Sequence, residues 1–276
     1  MIVHFLLMYN KTMIIGIVGL GVIGSAAKYG FEKLGHTVKV HDLKFNTELS
    51  SLLDSEIIYI CVPTPSNEDG SCNTNIVESV VDELHKLNYK KVIAIKSTVE
   101  PGLTRKLIDS YKNDSICFVP EFLRERCAIS DFIENHDLLA IGTENKSVFE
   151  TIKKSHGSYP RNIKQLSPTE AELLKYYSNI YNAMRIIFAN EMYEIAKRLD
   201  ANYSSIKEAY CLRNTKDMYL DVNENFRGYG GVCLPKDTKA IAALCKRLDL
   251  NLKLFETIDS ENNKFKMTVF DNMREY

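Results

Sequence analysis

The first half of the chain alternates between short apolar runs and longer segments with helical periodicity. The apolar runs include "MIIGIV", "EIIYICV", "KVIAIKS", "SICFV" and "DLLAIG". Between them lie segments such as "TNIVESVVDELHKL" and "PGLTRKLIDSY", whose apolar residues recur every three or four positions. Buried strands alternating with amphipathic helices are typical of a parallel sheet covered on both faces. The pattern therefore predicts a Rossmann-type, doubly wound, mostly parallel α/β domain over residues 13–166.

The second half of the chain changes to a helical period. "SPTEAELLKYYSNIYNAMRIIFANEMYEIAKRL" contains no internal glycine or proline. It opens with a capping box in which Ser167 is the N-cap, Pro168 takes the first helical position and Glu170 reaches back. The pattern predicts a helix as far as about Leu199, with further helices to the end of the chain. We expect an all-helical domain over 167–276, whose long apolar helices favour a homodimer.

Composition narrows the possible functions. The net charge of −1 and the lack of any run of like charge argue against nucleic acid as the partner. Seven cysteines without a CxxC pair predict neither a disulfide framework nor a metal site, and fit a reducing cytoplasm. The opening "MIVHFLLMYNKT" is short and lacks a basic leader, so it predicts neither a membrane span nor a secretion signal. Residues 1–12 are expected to be an extension, either an added strand or unstructured.

A glycine motif stands at the end of the first apolar run. Three glycines follow G-x-G-x-x-G spacing between a strand and a helix: Gly19, Gly21 and Gly24. They permit a tight turn, close approach of a pyrophosphate and close packing of helix on strand. The next strand ends at Asp42, whose carboxylate suits the ribose hydroxyls of NAD and repels the 2′-phosphate of NADP. Lys44 and His41 beside it leave room for NADP.

Three further motifs follow the predicted strands: "PTP", "KSTVEPG" and "PEFLRE". The carboxyl ends of parallel strands lie at one edge of the sheet, where ligands bind. We therefore expect Thr98, Glu121 and Glu125 to face the nicotinamide crevice. Turn formation and helix capping are the alternative roles for these side chains.

The segment "GYGGVCLPKD" places a cysteine between a glycine-rich loop and a predicted helix. Pro235 suits the first helical position, so Cys233 is predicted to precede the helix. The partial positive charge of the helix N-terminus, with Lys236 nearby, favours a thiolate that attacks carbonyls. A buried structural cysteine is the alternative. Lys175 and Asn179 lie one turn apart on the long helix, either as a solvated patch or as donors aimed into a pocket.

Six motifs, which follow one another from Met13 onward, resemble those of the UDP-glucose/GDP-mannose dehydrogenases. They are "GLGVIG", "VPTP", "KSTVEPG", "PEFLRE", "TEAELLKYYSNIYNAMRI" and "GYGGVCLPKDT". The resemblance implies NAD-dependent, four-electron oxidation of the C6 alcohol of a nucleotide sugar to a carboxylate. UDP-glucose is the first candidate, ahead of UDP-galactose, UDP-N-acetylmannosamine and GDP-mannose. The alternatives are a catalytically weak NAD-binding scaffold and a β-hydroxyacid dehydrogenase.

The resemblance also implies roles for individual residues. Cys233 would form a thiohemiacetal and then a thioester, while charge on oxygen is stabilised by neighbouring donors. The implied catalytic residues are Cys233, Lys175, Asn179, Asp237, Thr98 and Glu121. The implied cofactor contacts are Gly19, Gly21, Val22, Ile23, Gly24, Asp42, Val62, Pro63, Thr64, Thr98 and Glu125. The implied substrate contacts are Glu121, Phe122, Leu123, Lys175, Asn179, Tyr229, Gly230 and Lys236, with Gly228 and Gly231 giving the loop backbone access to the sugar.

Three departures from the family pattern stand out. The connection from Asp42 to Glu56 is short, Arg126 replaces a common glycine, and the family's second α/β domain is not expected after Tyr276. A polar stretch that holds Arg213, Lys216 and Arg227 either contacts phosphate or, as we predict, forms a solvated loop.

Overall fold

The structure, a computed structural model, describes residues 12–212, 223, 227–247, 249 and 253–265. The chain forms two compact units. The first takes the described residues up to Pro65 together with Asn73–Lys175, and the second takes Ser66–Cys72 together with the described residues from Tyr176 onward. The predicted division at residue 166 differs from this one, which falls inside the long helix. The predicted extension before Thr12, the chain after Phe265, Arg213 and Lys216 lie outside the described residues.

The first unit is built on a seven-stranded sheet. Its order is β2-β1-β3-β4-β5-β6-β7, and every neighbouring pair is parallel except β5 with β6. The strands are β1 (Ile14–Val18), β2 (Thr37–His41), β3 (Ile57–Ile60), β4 (Val92–Ile95), β5 (Ile116–Phe118), β6 (Leu138–Gly142) and β7 (Asn162–Leu166). The predicted doubly wound, mostly parallel sheet is confirmed.

Helices connect these strands and cover the sheet. They are α1 (Val22–Lys33), α2 (Asn75–Lys86), α3 (Leu103–Tyr111), α4 (Ala128–Ile133) and α5 (Lys146–Ser155). Side chains alternate between the two faces of a strand, so each face has its own core. On β3, Tyr59 packs with Phe31 and Phe132 on one face, while Ile58 and Ile60 join the core on the other.

The outermost strand, β7, was missed by the sequence pattern. Its sequence "NIKQL" has no continuous apolar run, and its residues are exposed or half-buried. An edge strand pairs on one side only and needs fewer buried side chains. The apolar signal that marks the inner strands is therefore absent from it.

The second unit is helical. Its elements are most of α6 (Pro168–Arg198), then α7 (Tyr203–Cys211), α8 (Cys233–Arg247) and α9 (Lys253–Phe265). The predicted capping box of α6 is confirmed, because the Ser167 amide donates to Glu170 Oε2 at 2.7 Å and the Glu170 amide donates to Ser167 Oγ at 3.3 Å. None of the helices in the described part of the chain is long and apolar enough to cross a bilayer.

The core of the second unit explains why the division falls where it does. Tyr176, Ile180 and Ile187 of α6 pack with Tyr229 and Ile241 in this core. Earlier on the same helix, Ala171 belongs to the core of the first unit. The helix thus changes its packing partners between Ala171 and Tyr176, where no glycine or proline marks a boundary in the sequence.

Arg227 corrects one sequence prediction. We predicted a solvated loop, but the side chain is buried. Its guanidinium carbon lies 5.4 Å from the ring centroid of Tyr193 and 4.7 Å from that of Phe265. Its Nε donates to Asn190 Oδ1 at 3.3 Å. Guanidinium groups stack well on aromatic faces, so Arg227 is a packing residue of this unit.

Candidate active site

The glycine motif forms the connection from β1 to α1. Gly19 has φ +92, and a Cβ there would lie 2.8 Å from the Cys61 carbonyl oxygen. At Gly24 a Cβ would lie 1.9 Å from the Gly19 carbonyl oxygen, so the packing of the turn on the helix excludes any side chain. A Cβ at Gly21 would meet nothing within 4 Å. The backbone at Gly21 is therefore open to a ligand, as a pyrophosphate at a helix N-terminus requires.

Asp42 holds this turn against the end of β2. Its Oδ2 accepts the Leu20 amide at 2.7 Å and its Oδ1 accepts the Lys44 amide at 2.9 Å. These two backbone hydrogen bonds lower the pKa of Asp42, which keeps the carboxylate ionised. Each carboxylate oxygen retains a further lone pair for a ribose hydroxyl. The turn and the acid together fit a dinucleotide.

The connections after β3 and β4 are linked to each other. Thr64 Oγ1 donates to the Thr98 carbonyl at 2.7 Å, and Ser97 Oγ donates to the Val62 carbonyl at 2.7 Å. These hydrogen bonds fix the carboxyl edge of the sheet. Of the other predicted cofactor contacts at this edge, Val22 and Pro63 are exposed and Ile23 is half-buried.

Lys175 and Glu121 form a buried ion pair in the first unit. Lys175 Nζ donates to the Glu121 carbonyl at 2.8 Å and to Glu121 Oε1 at 2.9 Å, with side chains 3% and 7% exposed. Glu121 Oε2 accepts the Leu123 amide at 2.8 Å, and Lys175 Nζ lies 5.9 Å from the Phe122 ring centroid. Lys175 is thus a buried donor and not part of a solvated patch.

Glu172 ties the "KSTVEPG" loop to α6, and the sequence analysis missed it. Its Oε2 accepts the Gly102 amide at 2.6 Å and its Oε1 accepts the Thr104 amide at 2.8 Å. Both amides belong to the N-terminus of α3, where backbone donors have no partner within the helix. Burial raises the pKa of Glu172. The contact joins residues far apart in sequence, so no local pattern indicates it.

Lys96 was also missed. It follows β4 directly and is only 4% exposed. Desolvation lowers its pKa. Lys96 lines a cleft of about 20 Å³ together with Glu121, Phe122, Leu123 and His136, a volume that holds about one water molecule. The sequence feature that could have indicated a buried lysine here is its position immediately after a continuous apolar strand.

Two predicted features of the "PEFLRE" region lie at the surface. Glu125 and Arg126 belong to a short 3-10 turn, Glu125–Cys127, and both are exposed. The backbone at Arg126 is not in the left-handed region. The turn therefore does not require the glycine that the family commonly has there.

The predicted nucleophile lies in the second unit. Cys233 is exposed and is the first residue of α8. This corrects the prediction that Pro235 opens the helix, since Pro235 occupies the third position. Proline is tolerated there because the first amides of a helix have no acceptor within the helix. The position at the helix N-terminus, which favours a thiolate, is retained.

One turn further along α8 lies a buried polar pair. Asp237 is fully buried, and its Oδ2 accepts a hydrogen bond from Asn179 Nδ2. Its Oδ1 lies 3.4 Å from Lys236 Nζ and accepts no hydrogen bond from the described residues. A buried carboxylate oxygen without a hydrogen bond has capacity for a further donor. Asn179 is likewise a buried donor and not a solvated one.

The glycine-rich loop differs from its predicted role at two residues. The Tyr229 ring is 1% exposed and packs in the helical core, which does not fit the predicted substrate contact. Its backbone pairs with Asn262, whose Oδ1 accepts the Tyr229 amide at 2.7 Å and whose Nδ2 donates to the Tyr229 carbonyl at 2.9 Å. Gly228 has φ +71, and a Cβ there would lie 2.9 Å from Asn262 Oδ1. The positive φ and the close approach of Asn262 both require this glycine. Gly230 is half-buried.

Sequence comparison assigns the chain to a family. Residues 32–157 match the NAD binding domain of the UDP-glucose/GDP-mannose dehydrogenase family, and residues 169–264 match its central domain. The chain belongs to the UDP-glucose/GDP-mannose dehydrogenase family. The predicted resemblance is thereby confirmed, and so is NAD as the cofactor.

Individual relatives support this assignment. UDP-glucose 6-dehydrogenase of Rickettsia felis is 29% identical over 257 residues, which cover 88% of this chain and 55% of that protein. GDP-mannose 6-dehydrogenase of Pseudomonas syringae is 27% identical over 240 residues, 80% of this chain and 54% of that protein. A UDP-glucose dehydrogenase structure from Pyrobaculum islandicum has a TM-score of 0.85 at 25% identity, covering 93% of this chain and 69% of that one. The chain thus spans about half the length of the curated relatives.

Proposed function

We propose that this dehydrogenase family member oxidises the primary alcohol at C6 of a nucleotide sugar to a carboxylate. The observation that carries the proposal is the exposed Cys233 at the N-terminus of α8, one turn before the buried Asp237–Asn179 pair. A protein that only binds NAD has no use for such a cysteine or for a buried carboxylate with a free acceptor position. The seven cysteines fit the cytoplasm as the compartment.

Cys233 accounts for the second half of the oxidation. NAD+, when bound, supplies the acceptor for a hydride in each of the two oxidation steps. The first step converts the alcohol to an aldehyde, with loss of a hydride and a proton. The Cys233 thiolate then adds to the aldehyde carbon, and the resulting thiohemiacetal loses a second hydride to become a thioester. Water attacks the thioester, the C–S bond breaks, and the products are a carboxylate and the regenerated thiolate.

The buried polar residues suit the charge that develops in these steps. Negative charge grows on the sugar oxygen in both tetrahedral species, and fixed donors stabilise it. Lys175 and Asn179 are the proposed donors. Both are already desolvated, which strengthens their interaction with an anion. Lys175 donates a hydrogen bond to the Glu121 carboxylate and Asn179 donates one to the Asp237 carboxylate. These hydrogen bonds fix the positions of both donor groups.

The carboxylates supply acid–base chemistry. Asp237 Oδ1 has room for a further donor, so we assign Asp237, with Thr98, to hold or deprotonate the water or the alcohol. Glu121 is the proposed base for thioester hydrolysis. Its Oε2 is held by the Leu123 amide, which fixes the direction of the remaining lone pairs.

The substrate is proposed to be UDP-glucose. UDP-galactose, UDP-N-acetylmannosamine and GDP-mannose are the alternatives, and the relatives include enzymes named for UDP-glucose and for GDP-mannose. Purified protein with NAD+ and each of these sugars, followed by NADH absorbance, tests the activity. We expect two NADH per sugar with one nucleotide sugar. Tight NAD binding without turnover of any sugar would favour the NAD-binding scaffold.

Replacement of the cysteine tests the thioester route. Cys233→Ala should yield at most one NADH per sugar, because the aldehyde has no thiol to add to. Cys127→Ala, which alters another exposed cysteine, is the matched control and should keep the full yield. Two NADH per sugar from Cys233→Ala would show that the oxidation does not pass through a thioester on this residue.

We also propose a homodimer formed through α6. Tyr177, Tyr181 and Phe188 are 72%, 47% and 59% exposed on this helix, and the first two rings stack with centroids 6.3 Å apart. A second copy of the same helix would cover such a stripe. Light scattering at micromolar concentration should give the dimer mass, and Phe188→Glu should shift it to the monomer. Tyr29→Glu, at an exposed position on α1, is the control, and a monomeric wild type would contradict the proposal.

A further inference from the structure

The N-terminus of α3 is capped by a residue of another helix. The start of α5 shows the ordinary local arrangement, in which the Asn145 side chain accepts the amides of Ser147 and Val148. The N-cap of α3 is Gly102, which has φ +103 and no side chain to offer. Glu172 of α6 caps this helix instead, through hydrogen bonds that span 70 and 68 positions of the sequence.

This distant cap is energetically less favourable than a local one. Glu172 is fully buried, and the loss of water around its carboxylate raises its pKa. A serine, aspartate or asparagine at the N-cap would accept amides of the same helix end and remain in contact with water. The distant cap adds what a local one cannot, because it joins α3 to α6.

The joint matters for the loop that leads into α3. The "KSTVEPG" loop carries Thr98, and it is held at two places. Near its start, the Thr98 carbonyl accepts Thr64 Oγ1 at 2.7 Å. At its end, the Gly102 amide donates to Glu172 Oε2 at 2.6 Å. The second hydrogen bond sets the position of the loop relative to α6.

Glu172 lies close to Lys175 along α6. The two residues are three positions apart, so they project from the same side of the helix. Lys175 Nζ donates to the Glu121 carbonyl at 2.8 Å and to Glu121 Oε1 at 2.9 Å. Two successive contacts thus attach the start of α6 to the first unit, one at α3 and one at Glu121. The position of the Lys175 ammonium relative to Thr98 depends on the contact at α3.

We propose that Glu172 is a positioning residue, which holds Thr98 and the Lys175 ammonium at the spacing that the oxidation requires. The inference rests on the proposed function, because that function places Thr98 and Lys175 in the site. Both carboxylate oxygens of Glu172 accept amides of α3, so in this role it does not contact the reacting atoms. A displacement of about 1 Å within an active site can lower the rate about a hundredfold, so even a partial shift is measurable.

The test compares wild type with Glu172→Gln, which keeps the size of the side chain and replaces one acceptor oxygen with an NH2 donor. With both substrates in excess, kcat per folded molecule should fall about tenfold. The KM for NAD+ should change little, because the glycine turn lies in a different connection of the sheet. Val81→Ala, a buried position of the same core on α2, is the control. It should lose stability through the cavity that it leaves and keep the wild-type kcat.

A second measurement asks whether the loss passes through Thr98. In a Thr98→Ala background, the group that Glu172 positions is already missing. Glu172→Gln should then lower kcat by less than about threefold, since effects at coupled positions do not add. A tenfold loss in both backgrounds would show that Glu172 does not act through Thr98, and would overturn the proposal.

The outcomes separate this inference from the function on which it rests. A wild type without NADH production from any nucleotide sugar overturns the proposed function and this role with it. An active wild type whose Glu172→Gln variant keeps its kcat per folded molecule overturns the role of Glu172 alone. A Glu172→Gln chain that does not fold, or an equal loss of kcat in Val81→Ala, would make the effect structural and would also overturn it.

Discussion

Acidification should destabilise the first unit through His136. The ring is buried, with Nδ1 3.0 Å from the Phe132 carbonyl oxygen and its centroid 5.6 Å from that of His156. Desolvation, helped by the charge of Lys96, lowers the pKa of His136 to about 4 from its ordinary 6.5. The hydrogen bond to the Phe132 carbonyl and the charge of Asp137 act in the opposite direction but do not reverse the shift. The folded protein therefore keeps the imidazole neutral at pH values at which the unfolded chain protonates it.

The sign and size of the effect follow from this difference. The stability contributed by the neutral ring is fully present above pH 6.5 and falls as the pH drops toward 4, because only the unfolded state gains the proton in that window. At about 1.36 kcal/mol per pH unit, the complete loss is about 3.4 kcal/mol, and the part between about pH 7.5 and about pH 4.5 is about 2.5 kcal/mol.

Urea unfolding at these two pH values measures the effect, with His136→Asn as the comparison. The asparagine amide can still donate to the Phe132 carbonyl but does not titrate. Other titratable groups also contribute to the measured pH dependence of the free energy of unfolding. Burial raises the pKa of Glu172, for example, so acidification stabilises the fold through that carboxyl. The difference between wild type and variant cancels such contributions and isolates the imidazole.

The expected result is a pH-dependent loss about 2.5 kcal/mol larger in wild type than in His136→Asn. His85→Asn, at an exposed histidine on α2, is the control and should keep the wild-type pH dependence. Equal pH dependence in wild type and His136→Asn would mean that His136 titrates alike in the folded and unfolded chain, and the argument from burial would be refuted.

Two further predictions concern the first unit. Gly24→Ala should destabilise the fold by about 1–3 kcal/mol through overpacking, whereas Gly21→Ala, which meets no neighbour, should leave urea unfolding unchanged and weaken NAD binding in calorimetry. Equal NAD affinity for Gly21→Ala and wild type would contradict the assignment of the turn. Glu172→Gln should lower the free energy of unfolding by about 1–3 kcal/mol, because an NH2 donor replaces one of the two oxygens that accept the helix N–H groups. Glu170→Gln, in the exposed capping box, should lower the free energy of unfolding much less. A similar loss of stability in both variants would contradict a special role for Glu172.

The sequence predicts the fold well where the signal is local. A buried parallel strand must be apolar along its length. The continuous apolar sequences "IIYI" and "VIAI" therefore predict β3 and β4. Gly19, Gly24 and Asp42 are recognisable because the turn, the close packing and the acid follow one another in the chain. Where the local requirement weakens, as in the edge strand β7, the prediction fails.

The sequence also identifies the residue types of the site but not their partners. The spacing of Lys175 and Asn179 places both on one face of a helix and leaves open whether that face meets water or a pocket. The structure decides this by pairing each with a buried carboxylate, Glu121 or Asp237. Those carboxylates lie 54 and 58 positions away in sequence.

The sequence by itself therefore determined the features that depend on residues close to one another in the chain. These are the periods of the strands and helices, the helix caps, the glycine turn and the motifs that identify the family. Only the tertiary structure decided which charges lose their water. Glu172 and Lys96 show this most clearly, since a glutamate and a lysine in a sequence are usually solvated. Burial and partner choice depend on packing between distant segments. The raised pKa of Glu172 and the lowered pKa of Lys96 are set at that level.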